Sequence, residues 1–297
     1  MISIRGLTRA FGGNLAVDHL SLEIAKGEIF GLVGPDGAGK TTSLRMIAGL
    51  VAPSEGTAVV AGFDVVQQPA EVRDRIGYMA QRFGLSGDLT VAENMRFYAD
   101  LFGMSAAGRD ALSPGLLQMT RMTPFADRPA AKLSGGMKQK LALMCTLLHK
   151  PDVLLLDEPT NGVDPVSRRD FWVILRQLVE QGLTLLLTTA YMDEAERCAR
   201  VGLMHRGKML LCDTPTRLRE SLPEDCFAVE TADPRGERTR LAADPRVKSA
   251  RPAGSSLHVF LKAGASPSDL WPSGGAARFS PIVPSLEDVF VATVERQ

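Results

Sequence analysis

The chain has 297 residues, with 34 Lys plus Arg against 34 Asp plus Glu, so its formal net charge is zero. At roughly 100–200 residues per domain that length predicts two domains, and 45% hydrophobic residues exclude a disordered chain. Balanced charge excludes the basic field that steers proteins to nucleic acid, so no nucleic-acid partner is expected.

Cys145, Cys198, Cys212 and Cys226 are far apart and form no CxxC pair, which predicts reduced, non-ligating thiols in a reducing compartment. The apolar runs 153–156 and 183–187 fall well short of the roughly 18 residues of a membrane span and match buried strands. Residues 1–6 lack the basic and apolar regions of a signal peptide. A soluble, intracellular chain is expected.

Alternation predicts strands over 2–7, 17–24 and 28–33, with Gly12-Gly13-Asn14 and Lys26-Gly27 as turns. The third strand runs into a glycine-rich loop, and helical spacing follows to Ala48. Short strands are expected at 57–61 and 76–79. Thr90 with Glu93 forms a capping-box signature, followed by Met95, Phe97, Tyr98, Leu101 and Phe102 at helical intervals. Helical texture continues to His149, interrupted by Pro114, Pro124 and Pro129. Strand and helix then alternate: strand 153–156, helix 171–180, strand 183–188, helix 192–199, and short strands near Leu203 and Met209. This is the pattern of a parallel α/β core with a helical insertion. After about Ser221, Pro, Gly, Ala, Ser and Arg become frequent, with strands expected at 227–230 and 257–261. Ser285 to Asp288 cap a last amphipathic helix, and the tail reads as a small α+β domain.

Gly34-Pro35-Asp36-Gly37-Ala38-Gly39-Lys40-Thr41 fits G-x-x-x-x-G-K-[ST]. Glycines there let backbone N–H groups point inward as an anion nest, with phosphates at the N-terminus of the next helix. Lys40 is expected to reach the β- and γ-phosphates, and the Thr41 hydroxyl to ligate Mg²⁺. Strand 153–156 ends in Asp157 and Glu158, and carboxyl ends of parallel strands face ligands. Asp157 suits the Mg²⁺ shell, and Glu158 suits a general base that polarises water. Ser134-Gly135-Gly136-Met137 precedes a helix over 138–149. Ser134 is a good N-cap and the bare glycines leave N–H groups free for an anion, although alone the string is equally a plain helix start.

In combination and in this order, these strings resemble one family over residues 1–220: the ATP-binding subunits of ABC transporters. The resemblance implies a P-loop NTPase core with an antiparallel β subdomain and a helical subdomain inserted at about 90–150. That module would span 1–221, with a small C-terminal α+β domain over 222–297. ATP and Mg²⁺ are the implied ligands. Phe11 resembles the aromatic that stacks on adenine, and Gly34 to Thr42 resembles the Walker A loop, with Asp36 where Asn is common. Gln81 is similar to the Q-loop glutamine that senses metal and γ-phosphate and faces the membrane partner. Ser134, Gly135 and Gly136 resemble the signature, with Met137 where Gln is frequent. Asp157 and Glu158 match Walker B, and Asn161 to Asp164 match the D-loop. Residues 284–290 resemble the end of ATPases from ABC-2-type exporters.

Ala190 departs from the pattern, standing where the resemblance implies a switch histidine. A methyl group cannot hydrogen-bond a phosphate or orient water. His19, His149, His205 and His258 are expected to be surface or packing residues. The family's two modules meet head to tail, so Ala190 would weaken the site built on Lys40, Asp157 and Glu158, while Ser134 to Gly136 would serve the partner's site. The implied partners are a membrane permease and a second ATPase module, as a homo- or heterodimer, at the cytoplasmic face of the membrane. Ala190 points to an asymmetric pair with a different module, on another chain or in a related fused protein. A low-turnover regulatory module, or a soluble relative acting on ribosomes or DNA, are the alternatives. Phe171, Trp172, Ile174, Leu175 and Leu178 are expected in the core, and Arg168-Arg169 as a solvated helix start.

Overall fold

Burial alternates along β1 (Ile2–Phe11) and β2 (Asn14–Ile24), which pair antiparallel. The computed structural model describes residues 1–82, 84–262, 264–270 and 278–296. Gly12 and Gly13 turn that hairpin with φ of 52° and 88°, a backbone that L side chains rarely adopt. β3 (Ile29–Val33) is buried at every position. The glycine loop follows, then α1 (Lys40–Ile47), β4 (Glu55–Val60), β5 (Phe63–Asp64), α2 (Pro69–Arg75) and β6 (Ile76–Met79). The helix α2 was not expected from the sequence; Pro69 at its start sets its φ.

The insertion contains α3 (Val91–Leu101), α4 (Ala106–Met119) and α5 (Gly135–Leu147). Thr90 and Glu93 form the expected capping box, with Thr90 Oγ1 accepting from Glu93 N at 3.2 Å. Pro124 and Pro129 lie at short 3₁₀ turns, but Pro114 does not interrupt the chain: α4 runs through it. Pro114 removes only the donor that would reach the Asp110 carbonyl, and both residues are exposed, so water can satisfy that oxygen. Of the periodic residues on α3 only Met95 is buried, while Phe97, Leu101 and Phe102 are exposed.

β7 (Val153–Asp157), α6 (Pro165–Glu180), β8 (Thr184–Thr189), α7 (Met192–Ala195), β9 (Arg200–His205) and β10 (Lys208–Asp213) complete the first unit. The expected helix over 192–199 is shorter, ending at Ala195. The sheets run β2-β1-β4-β5 and β10-β9-β3-β8-β7-β6. The first is antiparallel; in the second only β10 pairs antiparallel. Continuous apolar strands such as β7 are buried on both faces, as parallel sheets require. Leu44, Met46 and Ile47 of α1 share one core with Ile2 and Ile4 of β1 and with Phe30 and Leu32 of β3. On α6, Phe171, Trp172, Ile174, Leu175 and Leu178 are buried as expected. Each such side chain contributes roughly 1.5–3 kcal/mol by leaving water.

The chain divides into two compact units, Met1–Asp213 and Thr214–Gln297, one short helix earlier than the expected boundary. That helix, α8 (Pro215–Glu220), packs on the last helix of the second unit, a contact no change of composition announces. The unit continues with β11 (Cys226–Glu230), α9 (Pro234–Ala242), β12 (Val247–Ala253), β13 (Ser256–Leu261), α10 (Pro267–Leu270), β14 (Arg278–Pro281) and α11 (Leu286–Val294). Its antiparallel sheet is ordered β12-β13-β11-β14. This β-α-β-β-α-β arrangement is the split βαβ topology of ferredoxin-like domains. Val229, Leu257, Val259 and Leu241 form its own core. Ser285 caps α11 in a box with Asp288, and Asp288 Oδ2 also meets His258 Nδ1 at 2.7 Å.

Candidate nucleotide site

The loop between β3 and α1 keeps its shape because two of its glycines have no room for a side chain. A Cβ on Gly34 would lie 2.2 Å from the Met204 carbonyl oxygen, and one on Gly39, at φ 101°, 2.4 Å from that of Ala16. Gly207 N donates to Ala38 O at 3.0 Å, so the β9–β10 turn braces the loop. Residues 36–42, Gln81 and Glu158 line a cavity of 770 Å³, whose other wall is Asn14, Leu15, Ala16 and Arg206.

Lys40 starts α1 and is only 4% exposed. Its Nζ donates to Gly34 O at 2.7 Å and Pro35 O at 3.1 Å and lies 3.2 Å from Glu158 Oε1. Two of the three ammonium donors are thus taken by backbone carbonyls, and the charge is paired with the Glu158 carboxylate. Asp157 is buried at the end of β7, and its Oδ1 accepts from Thr41 Oγ1 at 2.9 Å and Thr188 Oγ1 at 2.8 Å. Its Oδ2 is buried with no partner. A bare carboxylate oxygen beside a threonine hydroxyl is a hard-oxygen donor set of the kind a small divalent cation accepts.

Glu158 sits at φ 46°, in the left-handed region unusual for a non-glycine residue. Its N–H donates to Thr188 Oγ1 at 2.9 Å, fixing this backbone to β8. Glu158 Oε2 accepts from Gln81 Nε2 at 3.0 Å and Asn161 Nδ2 at 3.1 Å. The carboxylate is thus held at two points, with Oε1 turned to Lys40.

The other expected residues lie apart from this cavity. Ser134 caps α5, its Oγ accepting from Met137 N at 3.3 Å. A Cβ on Gly136 would lie 2.4 Å from Ser167 Cβ, so α5 approaches α6 there, and Gly135 faces the Gly162 carbonyl. Asp164 caps α6, accepting from Ser167 N at 2.9 Å and Val166 N at 3.1 Å. The Ser167 backbone bond, above all, holds the Asp164 carboxyl below the usual carboxylate range. Ser134, Gly135, Gly136 and Asp164 therefore form a second cluster. Phe11 is half exposed at the end of β1, paired across the hairpin with the cavity residue Asn14, and Arg9 lies 4.5 Å from its ring centroid. It is not itself in the cavity wall.

Two features escaped the sequence reading. Glu194 on α7 is 1% exposed and accepts from Thr189 Oγ1 at 2.7 Å and from Thr160 Oγ1, joining the end of β8 to the segment after Glu158. Arg168 is correspondingly not a solvated residue: its guanidinium lies 3.5 Å from Glu194 and 4.2 Å over the Tyr191 ring. A buried carboxylate recruits its cation from another helix, which local charge patterns do not reveal. Arg206 and Asn14 are the other newcomers, brought to the cavity by two hairpins. Ala190 follows β8 directly and is exposed.

A family model described as ABC transporter matches residues 17–161. The probable multidrug ABC transporter ATP-binding protein YbhF of Escherichia coli K12 is 42% identical over 98% of this chain. The chain spans about half that relative's length, 51%. The Nod factor export ATP-binding protein I of Paraburkholderia xenovorans is 40% identical over 85% of this chain and 83% of its own. That of Cupriavidus metallidurans is 35% identical over 100% and 98%. Among solved structures, an ATP-binding subunit of an ABC transporter superposes with TM-score 0.66 at 27% identity, over 74% of this chain and 92% of its own. The cassette MJ0796, as a post-hydrolysis dimer bound to ADP and Pi, gives 0.65 at 26% identity over 72% and 98%. Glycine loop, paired acids and relatives agree: the chain belongs to the ABC transporter family, in its ATP-binding branch.

Proposed function

We propose that this chain is the ATP-hydrolysing subunit of an ABC exporter. The observation that carries the reading is Glu158, held by Gln81 and Asn161 with its free oxygen toward Lys40, at the mouth of the glycine loop. Phosphates entering the loop compete with Glu158 for the Lys40 charge. Lys40 then neutralises the phosphate oxygens, and Glu158 is released to accept a proton from an attacking water. Gln81 and Asn161 keep that carboxylate in line. Thr41, Asp157 and Gln81 are the residues that would hold Mg²⁺, which supplies charge neutralisation on the phosphates when bound.

The names of the relatives, multidrug transport and Nod factor export, support the export direction. A partner permease chain is supported by an apolar groove of 200 Å³ lined by Leu50, Tyr78, Tyr98 and Phe102. Leu50, Phe97, Leu101 and Phe102 stay exposed around it, more apolar surface than a helix needs to expose. No described helix is long and apolar enough to cross a membrane. Peripheral attachment at the cytoplasmic face follows from pairing with a permease.

Ala190 offers no hydrogen-bonding group at the end of β8, and it favours an asymmetric pair with a different ATPase module. In that pair the Ser134–Gly136 cluster completes the partner's site. A low-turnover regulatory role is the second reading, favoured by the same residue. Single-turnover ATP hydrolysis by the chain alone and with copurifying membrane and ATPase chains separates them. Stimulation by those chains that Glu158→Gln removes supports the exporter reading. Robust cooperative hydrolysis by the isolated chain sinks the asymmetric pair.

A further inference from the structure

The turn that braces the glycine loop carries a cation that the expected site residues do not include. Arg206 is exposed, lines the cavity, and makes no hydrogen bond or ion pair among the described residues. The other cation, Lys40, is engaged by Gly34 O, Pro35 O and Glu158. Asp36 and Glu158 add two acids to the lining, so Arg206 is the cation left to meet an anionic ligand.

Its placement is fixed. His205 pairs with Lys208, leaving Arg206 and Gly207 as a two-residue turn with φ of 47° and 81°. A turn with both residues left-handed favours Asn-Gly; an arginine at the first position is held against its preference. Such strain persists where the surroundings over-determine it and concentrates at functional sites. The surroundings here are the loop and β2: Gly207 N donates to Ala38 O at 3.0 Å, and Gly207 O accepts from Asp18 N of β2 at 2.9 Å. Gly207 also lies beside Gly39 and against Leu15 and Ala16 of β2, in the hairpin that carries Phe11.

We propose that Arg206 is a nucleotide-binding residue whose guanidinium takes the phosphate nearest the nucleoside, the α-phosphate. The planar guanidinium can donate two parallel N–H bonds to phosphate oxygens, which an ammonium cannot. The inference rests on this cavity being the ATP site. Equilibrium binding of ATP, ADP and adenosine to the full chain tests it, with Arg206→Asn, Arg206→Lys and the unaltered protein. Asn suits the left-handed turn, so Arg206→Asn keeps or raises the melting temperature while weakening ATP and ADP alike by about tenfold. Arg206→Lys recovers part of that loss, and adenosine binding stays unchanged. Unchanged ATP and ADP affinity in Arg206→Asn overturns the proposal. So does a loss confined to ATP, which places the contact at the γ-phosphate, or an equal loss for adenosine, which makes the residue structural. If the unaltered chain binds no nucleotide, the ATP-site reading itself falls.

Discussion

Lys40 and Glu158 sit 3.2 Å apart, and their mutual attraction has opposite consequences for binding and for chemistry. Because Glu158 competes with phosphate for the lysine, Glu158→Gln is expected to bind ATP more tightly. If Glu158 is the general base proposed above, its loss lowers hydrolysis by roughly 10²–10⁴-fold. Equilibrium binding and phosphate release measured on the same variant check both signs. Ala190→His restores a donor at the end of β8, and a donor aimed at developing charge is worth up to about 10²-fold; single-turnover hydrolysis should rise. An unchanged rate would remove Ala190 from the catalytic surroundings. Asp157 and Glu158 were legible in the sequence because an apolar strand ending in two acids is a local pattern. Glu194 was not: its partner Thr160 is 34 residues away, and Arg168 arrives from another helix.

Helices and loops respond to substitution through backbone geometry. Gly34→Ala forces a Cβ against the rigid Met204 carbonyl, so both melting temperature and ATP binding should fall. Pro114→Ala should act in the opposite direction. It returns an N–H to the Asp110 carbonyl inside α4 at an exposed position, so a gain of about 1–3 kcal/mol is expected in urea unfolding. The capping boxes of α3 and α11 were legible because a cap is a contact between residues three apart. The strands β12 and β14 and the helix α9 were missed. Their residues carry few apolar side chains, and β14 is exposed at all four positions, so periodicity gave no signal.

Thiol and carboxyl chemistry report on the folded chain as a unit. Burial pushes the thiols of Cys145, Cys198 and Cys212 up, and that of Cys226 up to about 12, so each stays neutral. All four should resist a thiol reagent at pH 8 in the folded protein and react promptly in denaturant. Carboxylates shift the other way. The Arg246 side chain holds Asp244 down at about 2. Lys248 and Arg296 hold Glu224 down against the opposing effect of burial. Folded values below the unfolded ones stabilise the protein above about pH 4, and this contribution is lost as pH falls toward 2. Acid titration of the melting temperature should show that loss, with a smaller one in Arg246→Ala.

Phosphate loop, acidic strand end and helix caps are readable in the chain because each rests on steric and hydrogen-bond rules acting over a few neighbouring residues. The company those residues keep is not. Gln81 meets Glu158 across 77 positions and Thr41 meets Asp157 across 116, because β6 lies beside β7 and β3 beside β8 in the buried sheet. Strand order follows from covering both faces of a hydrophobic sheet at once, an energy shared by the entire core that no local pattern records. The same packing sets the β9–β10 turn against the glycine loop and carries Arg206 to the cavity.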